Sequence, residues 1–347
     1  MSAPFDPDDA AAPGSGIFGL ECGPDEARVQ ILAVPFDATT SYRRGAAWGP
    51  AAVAAASHQV ELYDRHFGKP YEAGIWLEPD DGRIAAWNAE ARALAEPILE
   101  RGGRIDDDPQ LAEDLARVDA LGEALNEHVQ AWSEGVLDAD GLPFVLGGDH
   151  AVPYGNLAAC AARYPELGVL HIDAHADLRP AYEGFRWSHA SILYNALEQL
   201  DGITQVLQVG LRDLGQGELR RIRLDERLST VFDDDWSRAR MNAEPLAPLV
   251  RSAIEALPQD VYVTIDIDGL EPALCPHTGT PVPGGLSWAE CILWLEELVA
   301  SGRRIVGADL VEVSPGSAPD QAGESWDAVV GARLLYKLIG AALGSKA

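Results

Sequence analysis

The chain has 347 residues, 47% of them hydrophobic and 23% charged, which is enough apolar length for a large core and excludes a disordered or collagen-like chain. Against 26 Lys and Arg stand 55 Asp and Glu, a net charge of −29 that repels phosphate backbones and anionic lipid surfaces, so neither nucleic acid nor membrane is an expected partner. Cys22, Cys160, Cys275 and Cys291 are scattered without a C-x-x-C spacing, as in a reducing compartment, and cytoplasm is the expectation.

Residues 1–16, rich in Asp, Ala, Pro and Gly, read as a flexible N-terminal tail, and residues 17–347 as one domain, since no linker-like break interrupts the apolar runs. No stretch approaches the roughly 18 apolar residues of a membrane span. Short β-branched runs predict strands near Val29–Val34, Phe144–Leu146, Val169–Ile172, Gln205–Val209, Thr230–Phe232, Val261–Ile265 and Ile305–Val311. Leu111, Leu115, Val118, Leu125, Val129 and Trp132 recur at helical steps and predict a long helix over Pro109–Leu137. Ser287 with Glu290 forms a capping box, after which Trp288, Ile292, Leu295 and Val299 mark a buried stripe that ends near Gly302. A last helix spans about Trp326–Leu343, with Val329, Leu334, Leu335 and Leu338 toward the core. Strands alternating with helices predict an α/β fold: a single-domain, three-layer α/β/α arrangement around a mostly parallel sheet.

Three polar clusters stand where strands should end: Leu146-Gly147-Gly148-Asp149-His150, His171-Ile172-Asp173-Ala174-His175-Ala176-Asp177 and Ile265-Asp266-Ile267-Asp268-Gly269. In parallel α/β sheets ligands collect beyond the carboxyl ends of the strands, so the three should meet. Steps of two put Asp173, His175 and Asp177 on one side of an extended backbone, and Asp266 and Asp268 share that spacing. Four crowded carboxylates raise one another's pKa and need compensating cations. Two divalent ions balance four aspartates, with His150 and His175 as neutral ligands. Oxygen-rich ligation with some imidazole suits Mn²⁺, with Ni²⁺, Fe²⁺, Co²⁺ and Zn²⁺ left open.

These motifs, in this order, resemble the ureohydrolase superfamily, which includes arginase, agmatinase, guanidinobutyrase and formimidoylglutamase. Thr278 to Leu286, Gly45 to Pro50 and Glu312-Val313-Ser314-Pro315 add to the likeness, which covers roughly residues 28–343. The resemblance implies an arginase-like fold, a homotrimer or homohexamer, and a binuclear centre ligated by His150, Asp173, His175, Asp177, Asp266 and Asp268. A metal-bridging hydroxide would attack a guanidine or amidine carbon and expel an amine, so that a guanidino substrate yields urea. His189 stands at the family's proton-shuttling position and Glu312 at its guanidinium-binding position, while Arg179 and Asp213 fall where substrate tails are read. Arg179 replaces the small amide of arginases, and Gly215 replaces the acid expected for an α-ammonium, which points away from arginine itself. Turned inward, Arg179 favours a substrate carboxylate; turned outward, it is a surface ion-pair residue. An amidinohydrolase of a guanidino compound is the leading expectation. Formimidoylglutamase is the alternative within the superfamily, and a non-catalytic metal-binding companion subunit is the alternative outside enzymes.

Overall fold

Asp108 starts the longest helix: its carboxylate accepts hydrogen bonds from the amides of Gln110 and Leu111, and Pro109 takes the first helical position, where no amide donor is needed. In this computed structural model, which describes residues 5–12, 14–79, 81–316 and 323–345, such locally specified elements alternate along the chain. They run β1 (Val29–Val34), α1 (Gly49–Ala56), β2 (Ile75–Leu77), α2 (Arg83–Leu99), α3 (Pro109–Asp138), β3 (Leu142–Gly147), α4 (Tyr154–Arg163), β4 (Leu167–Ile172) and α5 (Ile192–Gln199). The second half continues with β5 (Ile203–Leu211), α6 (Gln216–Leu224), β6 (Leu228–Phe232), α7 (Asp233–Met241), α8 (Leu246–Ile254), β7 (Asp260–Asp266), α9 (Trp288–Ala300), β8 (Arg304–Val311) and α10 (Trp326–Gly344).

The strands form one sheet in the order β2-β1-β3-β8-β7-β4-β5-β6, and every pairing in it is parallel. Alternate residues of each strand enter cores on opposite faces. Phe144 and Leu146 pack with α1, α9 and α10, whereas Val145 between them packs with α2 and α3. Val169 and Val206 meet α4 and α5 on that second face. Burial on both sides explains why the strands read as continuous apolar runs. The fold is the expected three-layer α/β/α, with a sheet parallel throughout.

β1 has the predicted bounds, and the other six predicted strands lie within longer ones. The edge strand β2 was not predicted, because three residues carry no measurable period; with α2 it fills the stretch between Tyr71 and Asp108. The Ser287–Glu290 capping box is present, but the buried stripe of α9 is centred on Cys291, Trp294, Leu295 and Leu298, with Trp288 and Val299 only half-buried at its margins. Helix α10 is buried on nearly all sides, so no narrow stripe describes it. Of the expected tail, residues 1–4 and 13 lie outside the described residues. Phe5 stacks at 5.9 Å from Tyr71, and Phe18 packs 4.8 Å from Tyr336. No helix among the described residues is long and apolar enough to cross a membrane.

Candidate metal centre

The three polar clusters do converge at the carboxyl edge of the sheet. Beyond β3 the backbone of Gly148 is gripped from both sides: its amide donates to the Val34 carbonyl (2.8 Å), and its carbonyl accepts from the Glu312 amide (2.8 Å). A Cβ there would collide with the Phe36 backbone, so only glycine lets the β1 and β8 ends close in and deliver His150 and Glu312 side by side. The His150 amide then donates to Glu312 Oε1 at 3.1 Å.

His150 Nδ1 lies 2.9 Å from Asp173 Oδ2, 3.1 Å from Asp177 Oδ2 and 3.5 Å from Asp266 Oδ2, all within a buried pocket. His175 Nδ1 lies 3.1 Å from Asp268 Oδ2 and 3.4 Å from Asp173 Oδ1. Asp173 thus belongs to two groupings of potential ligands, one with His150, His171 and Asp177 and one with His175 and Asp268. Backbone amides also hold three of these acids: His175 N donates to Asp173 Oδ1 (2.6 Å), Ala174 N to Asp268 Oδ1 (3.1 Å) and Asp268 N to Asp266 Oδ1 (2.8 Å). The Thr280 hydroxyl donates to Asp268 Oδ2 at 3.1 Å.

The Asp173–Asp177 stretch is not the extended strip expected from its spacing. β4 ends at Ile172, His175 forms a bridge with Asp213, and Asp177 has φ +53°. Glu312, at φ +60°, is left-handed as well. Such backbone costs a non-glycine residue about 1–3 kcal/mol, and here hydrogen bonds hold it in place. The Tyr194 amide donates to the Asp177 carbonyl, and the Thr278 hydroxyl to that of Glu312.

Burial and mutual repulsion hold the acids up. Asp177 is pushed to about 6 by burial and by Asp173, and Asp266 and Glu312 stand well above the usual carboxylate range for the same kind of reason. Burial opposes a charged His150, but Asp173, Asp177 and Asp266 outweigh it and raise the imidazole. A divalent cation relieves both conditions. His150 Nδ1 itself is buried without a hydrogen-bond partner among the described residues, although it faces three carboxylate oxygens, so this donor set fits a cation.

His189 opens a short 3-10 turn behind Ser188, whose hydroxyl accepts from the Ala190 amide. Burial, then the neighbouring His175 and His150, lower its imidazole to about 4. Its ring meets Tyr182 edge-on at 5.6 Å. Tyr182 in turn carries the Arg179 guanidinium at 5.1 Å, and Arg179 Nε lies 3.5 Å from the buried Glu218. Arg179 is 43% exposed, and Asp213, beside His175, is exposed. Four residues at the site carry no role in the sequence reading: His171, Thr264, Thr278 and Thr280. Thr264 lies two positions before Asp266 on β7, and His171 two positions before Asp173, just past the end of β4, a spacing that could have found them.

A family model, the arginase family, matches residues 27–340. The chain belongs to the arginase family. Among curated relatives of this arginase-family protein, N(1)-aminopropylagmatine ureohydrolase of Thermus thermophilus is 33% identical over 325 residues, 93% of this chain and 94% of the relative. The agmatinase of Bacillus cereus is 31% identical over 295 residues, 84% of this chain and 85% of its own. Among solved structures, proclavaminate amidino hydrolase from Streptomyces clavuligerus superposes with a TM-score of 0.69 at 23% identity, covering 98% of this chain and 100% of that one. This likeness establishes the shared arginase-family fold.

Proposed function

We propose that this protein is a binuclear metal-dependent ureohydrolase: it hydrolyses a linear C–N bond of a guanidino compound, releasing urea and an amine. The observation that carries the reading is the buried His150 Nδ1, which faces carboxylate oxygens of Asp173, Asp177 and Asp266 at 2.9, 3.1 and 3.5 Å, with His175 and Asp268 completing a second grouping around Asp173. These six residues would hold two cations, Mn²⁺ by the oxygen-rich donor set and Ni²⁺ as the alternative. Divalent ions held there supply a water acidified enough to attack an electron-poor carbon at neutral pH.

The rest falls to this chain's own residues. The Glu312 carboxylate, buried and fixed through Oε1 by the His150 amide, pairs with the guanidinium. His189, neutral at pH 7 because burial and two neighbouring imidazoles lower it, exchanges the proton that the departing amine requires.

An agmatine-type substrate with a cationic tail is favoured over a guanidino acid. Arg179, the residue that would attract a carboxylate, is engaged by Glu218 and Tyr182. The net charge of −29 also concentrates cations, and the Thermus and Bacillus relatives are named for agmatine-class substrates. Asp213, exposed and bridged to His175, would read the substrate tail. Neither of these relatives is named for formimidoylglutamate. We further read residues 17–347 as one catalytic domain of a cytoplasmic homotrimer or homohexamer, which light scattering tests.

The deciding experiment loads the metal-free protein separately with Mn²⁺ and Ni²⁺. It offers agmatine, N(1)-aminopropylagmatine, arginine, guanidinobutyrate and formimidoylglutamate, and measures urea, ammonia and formamide. Urea from the cationic guanidines is expected. Formamide would overturn the substrate class, and no turnover with either ion would favour the non-catalytic companion subunit.

A further inference from the structure

One layer below the ligands, the strand registers line up a second set of polar side chains. Asp309 on β8 pairs with Thr264 on β7, Thr264 with His171 on β4, His171 with Gln208 on β5, and Gln208 with Thr230 on β6. Residues paired in this way project to one face, so the five form a row across the sheet. Asp309, Thr264, His171 and Gln208 are fully or almost fully buried. Polar groups in mid-sheet are costly unless hydrogen-bonded, and the direction of each bond in this row can be worked out.

The Thr264 hydroxyl donates to Asp309 Oδ1 at 2.8 Å, which leaves its oxygen to accept from His150 Nε2, also at 2.8 Å. A neutral, cation-bound His150 would therefore carry its proton on Nε2 and leave the Nδ1 lone pair for the ion. At the other end of the row, the Gln208 amide nitrogen donates to the Ala176 carbonyl at 2.9 Å, which fixes the orientation of the amide. Its second hydrogen goes to His171 Nδ1 at 3.2 Å. His171 Nδ1 is thus an acceptor, and its Nε2–H donates to Asp173 Oδ2 at 2.9 Å.

We propose that this row is a positioning layer for the metal centre: Asp309 acting through Thr264 fixes the tautomer of His150, and Gln208 acting through His171 orients the Asp173 carboxylate. His171, although close enough to the ligands to be one, is a positioning residue, and metal affinity depends on four side chains that touch neither ion. The inference rests on the metal-binding part of the proposed function and not on the substrate.

The test is calorimetric titration of the metal-free protein with MnCl₂, read independently of activity, on wild type, Thr264→Val, Thr264→Ser and Gln208→Met. Valine keeps the shape of threonine without the hydroxyl, and serine keeps the hydroxyl with less packing. Loss of an orienting partner weakens metal binding about 10–100-fold, so Val and Met should show that loss while Ser stays within about threefold of wild type. Wild-type affinity in Thr264→Val, or a loss in Ser equal to that in Val, overturns the layer while leaving the metal reading intact. A wild type that takes up no ion overturns both. Should Thr264→Val fail to fold, as seen by circular dichroism, Gln208→Met on the opposite arm gives the same decision.

Discussion

Stripping the cations should make the stability of this protein depend on pH in one direction. In the metal-free chain, burial together with Asp37 and Asp177 pushes the Asp149 carboxyl up to about 8. Burial alone would lower His175, but Asp268 and Asp173 outweigh it and push the imidazole up to about 12. The unfolded chain releases these protons near pH about 3.9 and about 6.5, so around neutrality the folded chain holds protons that the unfolded chain lacks. A raised folded pKa means stability that is complete below the unfolded pKa and is lost as pH climbs toward the folded value. For Asp149 that window runs from about 4 to 8, and for His175 from about 6.5 upward. Between pH 6.5 and 8 the two groups hold roughly 1–2 extra protons, so metal-free stability should fall by about 2 kcal/mol per pH unit, or about 3 kcal/mol in all. For 347 residues the unfolding entropy is about 0.7 kcal/mol/K, which converts that loss to about 4 °C of melting temperature. Cation binding requires deprotonated ligands and strengthens with pH, so the loaded protein should hold or gain over the same range. Scanning calorimetry of chelator-treated and Mn²⁺-loaded protein at fixed ionic strength should show the gap widening by about 4 °C. A metal-free melting temperature that stays level or rises from pH 6.5 to 8 refutes the reasoning.

Three substitutions extend the test. His189→Ala should lower kcat about 10²–10⁴-fold with both ions retained by elemental analysis, and unchanged turnover would remove the proton-exchange role. Glu312→Gln preserves an acceptor for the His150 amide but not the charge, so kcat/KM should fall roughly 10–100-fold, as expected for losing about 1.5–3 kcal/mol of charged hydrogen bonding. Equal kinetics in the two proteins would free Glu312 from substrate binding. Asp64 accepts from Lys337 Nζ at 2.6 Å and from the His66 and Phe67 amides; burial raises its carboxyl, yet these bonds outweigh it and hold the group below its ordinary value. Asp64→Asn strands the Lys337 ammonium, which costs about 3–5 kcal/mol by urea unfolding at pH 7. Because the folded pKa is depressed, that deficit should shrink once pH falls below about 4, and a deficit that persists there contradicts the assignment.

The six proposed ligands were legible as candidates because each motif is local: an apolar strand, a turn, and acids or histidines within five residues. What lay beyond reach depends on which strands are neighbours. β7 and β8 follow one another in sequence, but β4 lies against β7 after 87 intervening residues, and only that adjacency joins Thr264 to His171. The left-handed backbone at Asp177 and Glu312 was hidden for a different reason. Nothing in an aspartate or glutamate announces a positive φ, and the strain is held by Tyr194 and Thr278, each more than 15 residues away. Period-two spacing predicted convergence of Asp173, His175 and Asp177 through an extended strip, yet the structure reaches it through a bend. The same six side chains meet although the assumed geometry does not hold, because neighbouring strand ends and hydrogen-bonded turns, not an extended strip, place them. Arg179 makes the converse point. Its residue type left open a carboxylate reader or an ion-pair residue, and its contacts are with Glu218 and Tyr182, drawn from a separate helix and a loop. Residue type therefore bounds what a position can do, and long-range partners decide which of those possibilities is realised.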